Sequence, residues 1–319
     1  MYNLISWYNQ NRRRIWITIL TAVGVFFIVW RLIYMWTDNN QTTIPQVTQE
    51  DISSNLNSVT LSSQRSAITG ESTQISREGI SVIDNFVSYC NSGNLEQAYS
   101  LLTNECKEEM FPNINRFQEI YYKPIFGNGK RTTKIENWYN NIYIVDYNED
   151  ALSTGTYSSE NNIRDYITIC KDTEKNYRLN INKYIGRTEL NKTAQTGNLQ
   201  IKVIRKDAYM DYEKYTFELK NESESNILIA DIYDDENVSY LVDKNNLRYN
   251  AAATELSKAQ LTVLGQQTKK LQIKYYNPYV STKVIRRLVF PKIYMNYEAY
   301  EAYQNKNNYK NYAIIQIDV

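Results

Sequence analysis

Phe86-Val87-Ser88-Tyr89-Cys90-Asn91-Ser92-Gly93-Asn94-Leu95-Glu96-Gln97-Ala98-Tyr99-Ser100-Leu101-Leu102 contains two helices and the turn that joins them. Ile80, Ile83, Val87 and Cys90, with Phe86 beside them, recur at helical spacing, and Gly93 supplies a stop. Asn94 is placed to cap a second helix. Gln97 stands three residues later, as in a capping box, and Leu95, Ala98, Tyr99 and Leu102 form the inner stripe. Downstream, Ile114, Phe117, Ile120 and Tyr121 predict a third helix that starts after Pro112 and ends before Pro124.

Past the Gly127-Asn128-Gly129 turn the period changes from helical to alternating. Tyr143, Val145 and Tyr147 share one face, and Ile142, Ile144 and Asp146 the other. Ile163, Ile167 and Ile169 alternate in the same way, as do Leu179 and Ile181. Helices followed by hairpin-linked strands predict an α+β domain over residues 77–190, with helices packed on one face of an antiparallel sheet. Asn191 to Ala194 reads as a boundary. Over residues 195–319, strands are expected at Leu199–Arg205, Tyr212–Asn221, Ile227–Tyr233, Val238–Val242, Leu247–Asn250, Lys269–Tyr276, Val284–Phe290 and Tyr312–Val319. Short alternating strands separated by polar turns favour a β-sandwich.

Upstream, Ile15 to Trp36 is almost unbroken in its apolar character, with Arg12, Arg13 and Arg14 directly before it. At about 1.5 Å of rise per residue it reaches roughly 33 Å, enough to cross a hydrocarbon core of about 30 Å. Residues 1–14 therefore read as a cytoplasmic tail, because basic residues stay inside and no acidic residue precedes Asp38. Trp16 at one end, and Trp30, Tyr34 and Trp36 at the other, suit the two interfaces, with Arg31 snorkelling outward as an anchor. A cleaved signal peptide fits less well, since the stretch is long and no small-residue cleavage pattern follows. Residues 37–76 are polar, lack aromatic residues and read as a tether with a span of roughly 35 Å. Within them, Ile52 to Leu61 has the alternative of forming an amphipathic helix on a partner.

Composition narrows the chemistry. Four of the 36 basic residues belong to the anchor, which leaves 32 to set against 35 acidic residues outside it. A weakly acidic exterior argues against nucleic acid as a partner. There is no histidine in the chain, so the common serine, cysteine and metal hydrolase constellations are excluded. Cys90, Cys106 and Cys170 show neither a zinc spacing nor a disulfide framework; buried thiols are expected, with one Cys90–Cys106 bridge as the alternative. Gly127 to Arg131 fails as a phosphate loop, since Pro124 stands where the first glycine belongs. Asp231, Asp234, Asp235 and Glu236 lack the calcium-loop pattern and read as a solvated turn. Four N-x-S/T sites, at Asn40, Asn191, Asn221 and Asn237, are expected by chance in an Asn-rich chain. The 29 tyrosines, with abundant Asn, Lys and Ile, reflect an AT-rich coding bias. Among them Tyr294, Tyr297 and Tyr300 offer a contact surface if the segment is helical; packing onto their own sandwich is the alternative.

The run from Phe86 to Leu102 resembles the opening of a nuclear transport factor 2-like domain, whose helix, residue-Gly-Asn turn and "Ala-Tyr-x-Leu-Leu" ending it shares. That resemblance implies three helices wrapped by a curved sheet as a cone. The superfamily hosts enzymes, binders and scaffolds alike. Tyr215 to Asn221, with the later Leu264 to Leu271, resembles bacterial immunoglobulin-like envelope domains. The overall plan is similar to the inner-membrane scaffolds of conjugation and type IV secretion, and less so to glycopeptide-response membrane proteins, whose cytoplasmic zinc ribbon has no room here.

Three functions follow as expectations. The first is a non-catalytic, single-pass envelope scaffold without a cofactor, displayed outside the plasma membrane, with a protein partner and compatible with homo-oligomers. The second is a receptor for a small or cell-wall-derived ligand, its pocket lined by Trp138, Tyr143, Tyr147 and Ile167. The third, weakest reading is an isomerase-like enzyme using Tyr143, Tyr147, Asp146 and Asp165.

Overall fold

In the computed structural model, residues 77–149, 162–234 and 238–319 are described. The anchor residues, the tether, and Asp235 and Glu236 of the acidic turn lie outside these. Among the described residues no helix is long and apolar enough to cross a membrane. Their fold mixes α and β structure, with strand predominating.

Helix α1 (Arg77–Asn91) buries Val82, Ile83, Phe86, Val87 and Cys90. It ends where Gly93 takes φ +73°, a conformation that costs glycine nothing. Gly93 N–H then bonds Cys90 O at 3.1 Å and Asn94 N–H bonds Tyr89 O at 2.8 Å, the paired closure of a Schellman motif. That closure explains why the expected capping box is missing at α2 (Leu95–Ser100). Asn94 has already given its N–H to α1, its side chain makes no cap bond, and Gln97 has nothing to reach back to.

Helix α3 (Asn104–Met110) was not foreseen; Thr103 caps it by accepting the Cys106 N–H at 3.0 Å. Next come α4 (Ile114–Phe117), a π turn (Gln118–Tyr122) and α5 (Lys123–Phe126) without a break. The expected end before Pro124 is therefore corrected. The π turn bonds Lys123 N–H to Gln118 O, five residues back, and Pro124 falls in the first turn of α5, where its missing donor costs little.

Strands β1 (Arg131–Tyr139), β2 (Ile142–Glu149), β3 (Ile163–Lys171) and β4 (Tyr177–Asn180) form an antiparallel sheet in that order. The pairings Ile135↔Val145, Val145↔Asp165 and Tyr143↔Ile167 put one face against the helices, as the alternation predicts. Phe117 is the hub beneath it, its ring 5.6–6.2 Å from those of Phe86, Phe111, Tyr99 and Tyr121.

Strand β5 (Tyr184–Thr196) follows. Asn191 to Ala194, read as a boundary, lies inside it. The polar residues make a bulge rather than a break: the register with β6 (Leu199–Tyr209) shifts between Glu189 and Lys192, and Asn191 takes φ +51°. A second sheet runs β12-β7-β6-β5, with β7 at Glu213–Asn221 and β12 at Thr268–Tyr275. A third runs β10-β9-β13-β14, from Arg248–Asn250, Tyr240–Asp243, Ile285–Ile293 and Ala313–Asp318. Their shared core includes Val203, Phe217 and Ile273 from one sheet and Leu241, Phe290 and Ile317 from the other. The segment expected to be a strand over Ile227–Tyr233 pairs only at β8 (Ile227–Leu228), against β11 (Thr262–Val263). Two short helices, α6 (Lys258–Leu261) and α7 (Tyr297–Ala302), complete this part.

The two motifs that carry the immunoglobulin-like resemblance meet in space. The Asn221 amide, 1 % exposed, donates to Ser225 O, Val263 O and Leu264 O at 2.9–3.2 Å. A Cβ at Gly265 would stand 2.1 Å from Glu224 O, so only glycine fits that turn. The Asn221 glycosylation motif is thus consumed as a structural pin.

Candidate functional site

At one end of the molecule, aromatic side chains stay in the open. The β1–β2 hairpin turns at Asn140, φ +47°, and a register shift between Asn137 and Tyr139 leaves Trp138 and Tyr139 each 37 % exposed. The β12–β13 loop meets them: the Tyr279 ring lies 5.9 Å from Trp138, which is also edge-on to Tyr166 at 5.8 Å. The loop is held by Tyr279 N–H bonding Met210 O at 2.9 Å, and Val280 beyond it is 48 % exposed.

A cleft of about 260 Å³ opens beside these rings, lined by Arg187, Lys206, Glu213, Asn277, Tyr279 and Lys283 among others. Glu213 is buried and fully engaged: Lys206 donates to it at 3.0 Å, Asn277 at 2.8 Å and the Tyr215 hydroxyl at 3.1 Å. Lys283 instead donates to neutral groups, Asn277 Oδ1 at 2.6 Å and Pro278 O at 2.5 Å, and lies over the Tyr249 ring at 4.5 Å. Burial pulls its ammonium below the usual lysine range, against the opposing pull of Glu213 and Asp243. The arrangement holds a cation beside an aromatic ring and neutral acceptors.

Trp138 is thus no pocket residue. This corrects the pocket reading: it projects from the outer face of β1 onto Tyr166 of β3, on the row of Glu136 and opposite to inward Ile135. Tyr143, Tyr147 and Ile167 are on the inner face, 4 %, 0 % and 0 % exposed, inside the packed core with Phe126 and Phe117. The Tyr147 hydroxyl lies 2.9 Å from that of Tyr121, which donates to Asp165 at 2.8 Å. Asp165 also accepts backbone N–H groups of Tyr166, Asn182 and Lys183 at 2.7–2.8 Å. Asn182 and Lys183 both have positive φ, so consecutive amides converge on the carboxylate as a nest. Burial raises the Asp165 carboxyl, the four donors opposing it. Asp146, by contrast, faces outward and pairs with Arg164 at 2.6 Å, so the four residues of the isomerase reading are not assembled at one place.

Tyr294 and Tyr300 do not form a contact surface. They stack on each other at 3.8 Å, are 3 % and 2 % exposed, and the Tyr300 hydroxyl donates to Asp231. Tyr297 is half-buried beside Lys258. The second and third sheets take this cluster into their shared core, the short helix α7 being folded back beside β8 through Tyr297 N–H and Asn226 O. Asp234 pairs with Lys292, and no group of three or more potential metal ligands occurs among the described residues. All three cysteines are free thiols; burial pushes Cys106 up to about 12.

A charged junction that hydrophobic periodicity does not mark joins the helical layer to the second sheet. Arg187 of β5 donates to Asp207 of β6 at 2.8 Å and to Glu108 of α3 at 2.7 Å. Glu109 accepts from Tyr209 and Lys214, and Tyr184 donates to the fully buried Asp207 at 2.8 Å. Consecutive acids in a short segment were the available signal. The apolar Pro278-Tyr279-Val280 run inside a polar loop was the signal for the open end.

Compared with protein-family models, curated proteins and solved structures, the chain finds no match.

Proposed function

We propose that this chain is a non-catalytic, membrane-anchored protein of the bacterial cell envelope that binds or scaffolds a partner outside the plasma membrane. In this reading residues 15–36 hold it in lipid, the helical layer and first sheet form a nuclear transport factor 2-like cone, and the remaining sheets form an immunoglobulin-like sandwich. The observation that carries it is the contrast between a cone interior packed with Phe86, Phe111, Phe117 and Tyr121 and an aromatic, cationic end left open at Trp138, Tyr279 and Lys283. A packed interior suits a scaffold better than a cavity enzyme. The charged junction supports the same reading, because it ties cone and sandwich together as one display piece. Conjugation or secretion assemblies are the setting whose parts it is most similar to in plan. A receptor reading would place its ligand in the Lys206–Glu213–Lys283 cleft instead of the cone.

The test is photo-crosslinking in native membranes of the full chain, with a photoreactive residue at Val280 or, as control, at exposed Lys270 on the outer face of the second sheet. Adducts to a defined partner, whether protein or lipid, are expected from position 280 and none from 270. Equal or no labelling at both positions contradicts the proposal. Protease added to intact cells is expected to digest the folded part.

A further inference from the structure

The open end continues beyond Trp138 and Tyr279. The β9–β10 turn joins it through Lys244 N–H bonding Val284 O at 2.9 Å, and adds Leu247, 57 % exposed, to Val280 and Val284, 48 % and 53 % exposed. Trp, Tyr and aliphatic residues thus project from three separate loops, a feature that a soluble surface does not require. Among them stand Lys244 and Arg286, both exposed, and Lys283, whose partners are neutral.

The carboxylates that face these loops are withdrawn or paired, Asp318 of β14 being 91 % exposed but 3.7 Å from Arg287. Asp243 is 3 % exposed and accepts the Asn245 and Leu247 N–H groups; Glu213 is 7 % exposed and holds Lys206 and Asn277. Asp211 is exposed but pairs with Lys183 at 3.0 Å. The end therefore offers positive charge and apolar tips together. Tryptophan and tyrosine settle where one end of the ring is dry and the other wet, and lysine or arginine beside them matches anionic headgroups. A polyanion without an apolar phase would use the cations and leave Val280, Val284 and Leu247 in water.

We propose that the partner of this end is a lipid surface bearing anionic headgroups, with Trp138, Tyr139, Tyr279 and Val280 entering the interface and Lys244, Lys283 and Arg286 meeting the phosphates. This rests on the binding reading above and names its partner.

The test uses the full chain in vesicles of phosphatidylcholine alone or with about one third phosphatidylglycerol. A fluorophore is attached at Val280→Cys, with Cys170→Ser removing the partly accessible native thiol, and brominated lipid serves as quencher. Quenching is expected in the anionic vesicles, at least about tenfold weaker after Lys244→Glu, Lys283→Glu and Arg286→Glu combined. It is also expected to fall at about 0.5 M salt, where the Debye length is only a few ångströms. A label at Lys270→Cys, remote from these loops, is expected to stay unquenched. No quenching at position 280, or equal quenching in both lipids, overturns the proposal; so does crosslinking of Val280 to a protein alone. Carbonate extraction keeps the two readings apart. A chain that stays in the vesicles but is unquenched retains its anchor and loses this contact. A chain that washes out loses the anchor reading, and flotation at low salt with anionic but not zwitterionic vesicles then upholds the contact, whereas flotation with neither overturns it.

Discussion

Tyr121 and Tyr147 in the helix-on-sheet interior, and Tyr139 and Tyr279 at the open end, are the same residue type put to opposite use. Inside, each ring is enclosed and each hydroxyl is bonded in a chain that ends on Asp165. At the open end the Tyr279 ring leans on Trp138, and part of the surface of Tyr139 and Tyr279 faces water. Tyrosine content alone therefore says nothing about function in this chain. What decides is where the backbone points the ring: the π turn and strand β2 aim Tyr121 and Tyr147 into the core, whereas the end of β1 and the β12–β13 loop leave Tyr139 and Tyr279 at the surface.

That contrast can be broken most severely from the inside. Phe117→Ala removes the ring on which Phe86, Phe111 and Tyr121 converge and is expected to cost about 3–5 kcal/mol of unfolding free energy, measured by denaturant titration. Arg187→Ala comes next. It leaves Asp207 buried with its best partner gone, and a loss on the order of 3 kcal/mol is expected. Tyr121→Phe keeps the ring but strips a donor from Asp165 and a partner from Tyr147; about 1–3 kcal/mol is expected.

The Asp165 carboxyl sharpens the comparison through pH. Folding raises its pKa, so as pH rises from about 4 through the folded carboxyl's range this group binds more proton folded than unfolded and its contribution to stability falls. Asp165→Asn removes that slope. The stability of the parent relative to the variant is expected to grow on acidification, and a difference that is flat or shrinks contradicts the assignment. The smallest effect belongs to the open end: Trp138→Ser is expected to move stability by no more than about 0.5 kcal/mol while weakening lipid quenching of the Val280 label.

Much of the architecture was legible where periodicity is strong. The α1 stripe, the Gly93 stop, the inward alternation of Tyr143, Val145 and Tyr147, and strands at Tyr215–Leu219 and Leu271–Tyr275 all follow from local pattern. Three features did not. Helix α3 buries only Cys106 among its seven residues, so it shows no stripe. Pro124 was read as a terminator because a π turn before it leaves no mark in the sequence. The continuity of β5 through Asn191 depends on pairing with β6, which is tertiary information.

The candidate site was less legible still. Trp138 counts as a pocket candidate on its residue type alone, and for Tyr294 and Tyr300 the sequence leaves both a contact surface and packing onto their own core open, because their stacking partners Tyr309 and Tyr312 arrive from a segment that local pattern does not place. Trp138 meets Tyr279, and Lys244 meets Val284 of the same loop, only when segments distant in sequence are brought together.

Hydrogen–deuterium exchange of the full chain, compared between membranes and detergent, tests most directly whether the molecule works through its open end. Slower exchange in membranes at residues 137–141, 243–247 and 276–284, with residues 143–147 and 165–169 unchanged, is the predicted result. Protection that changes in the helix-on-sheet interior while those three loops stay the same would contradict it.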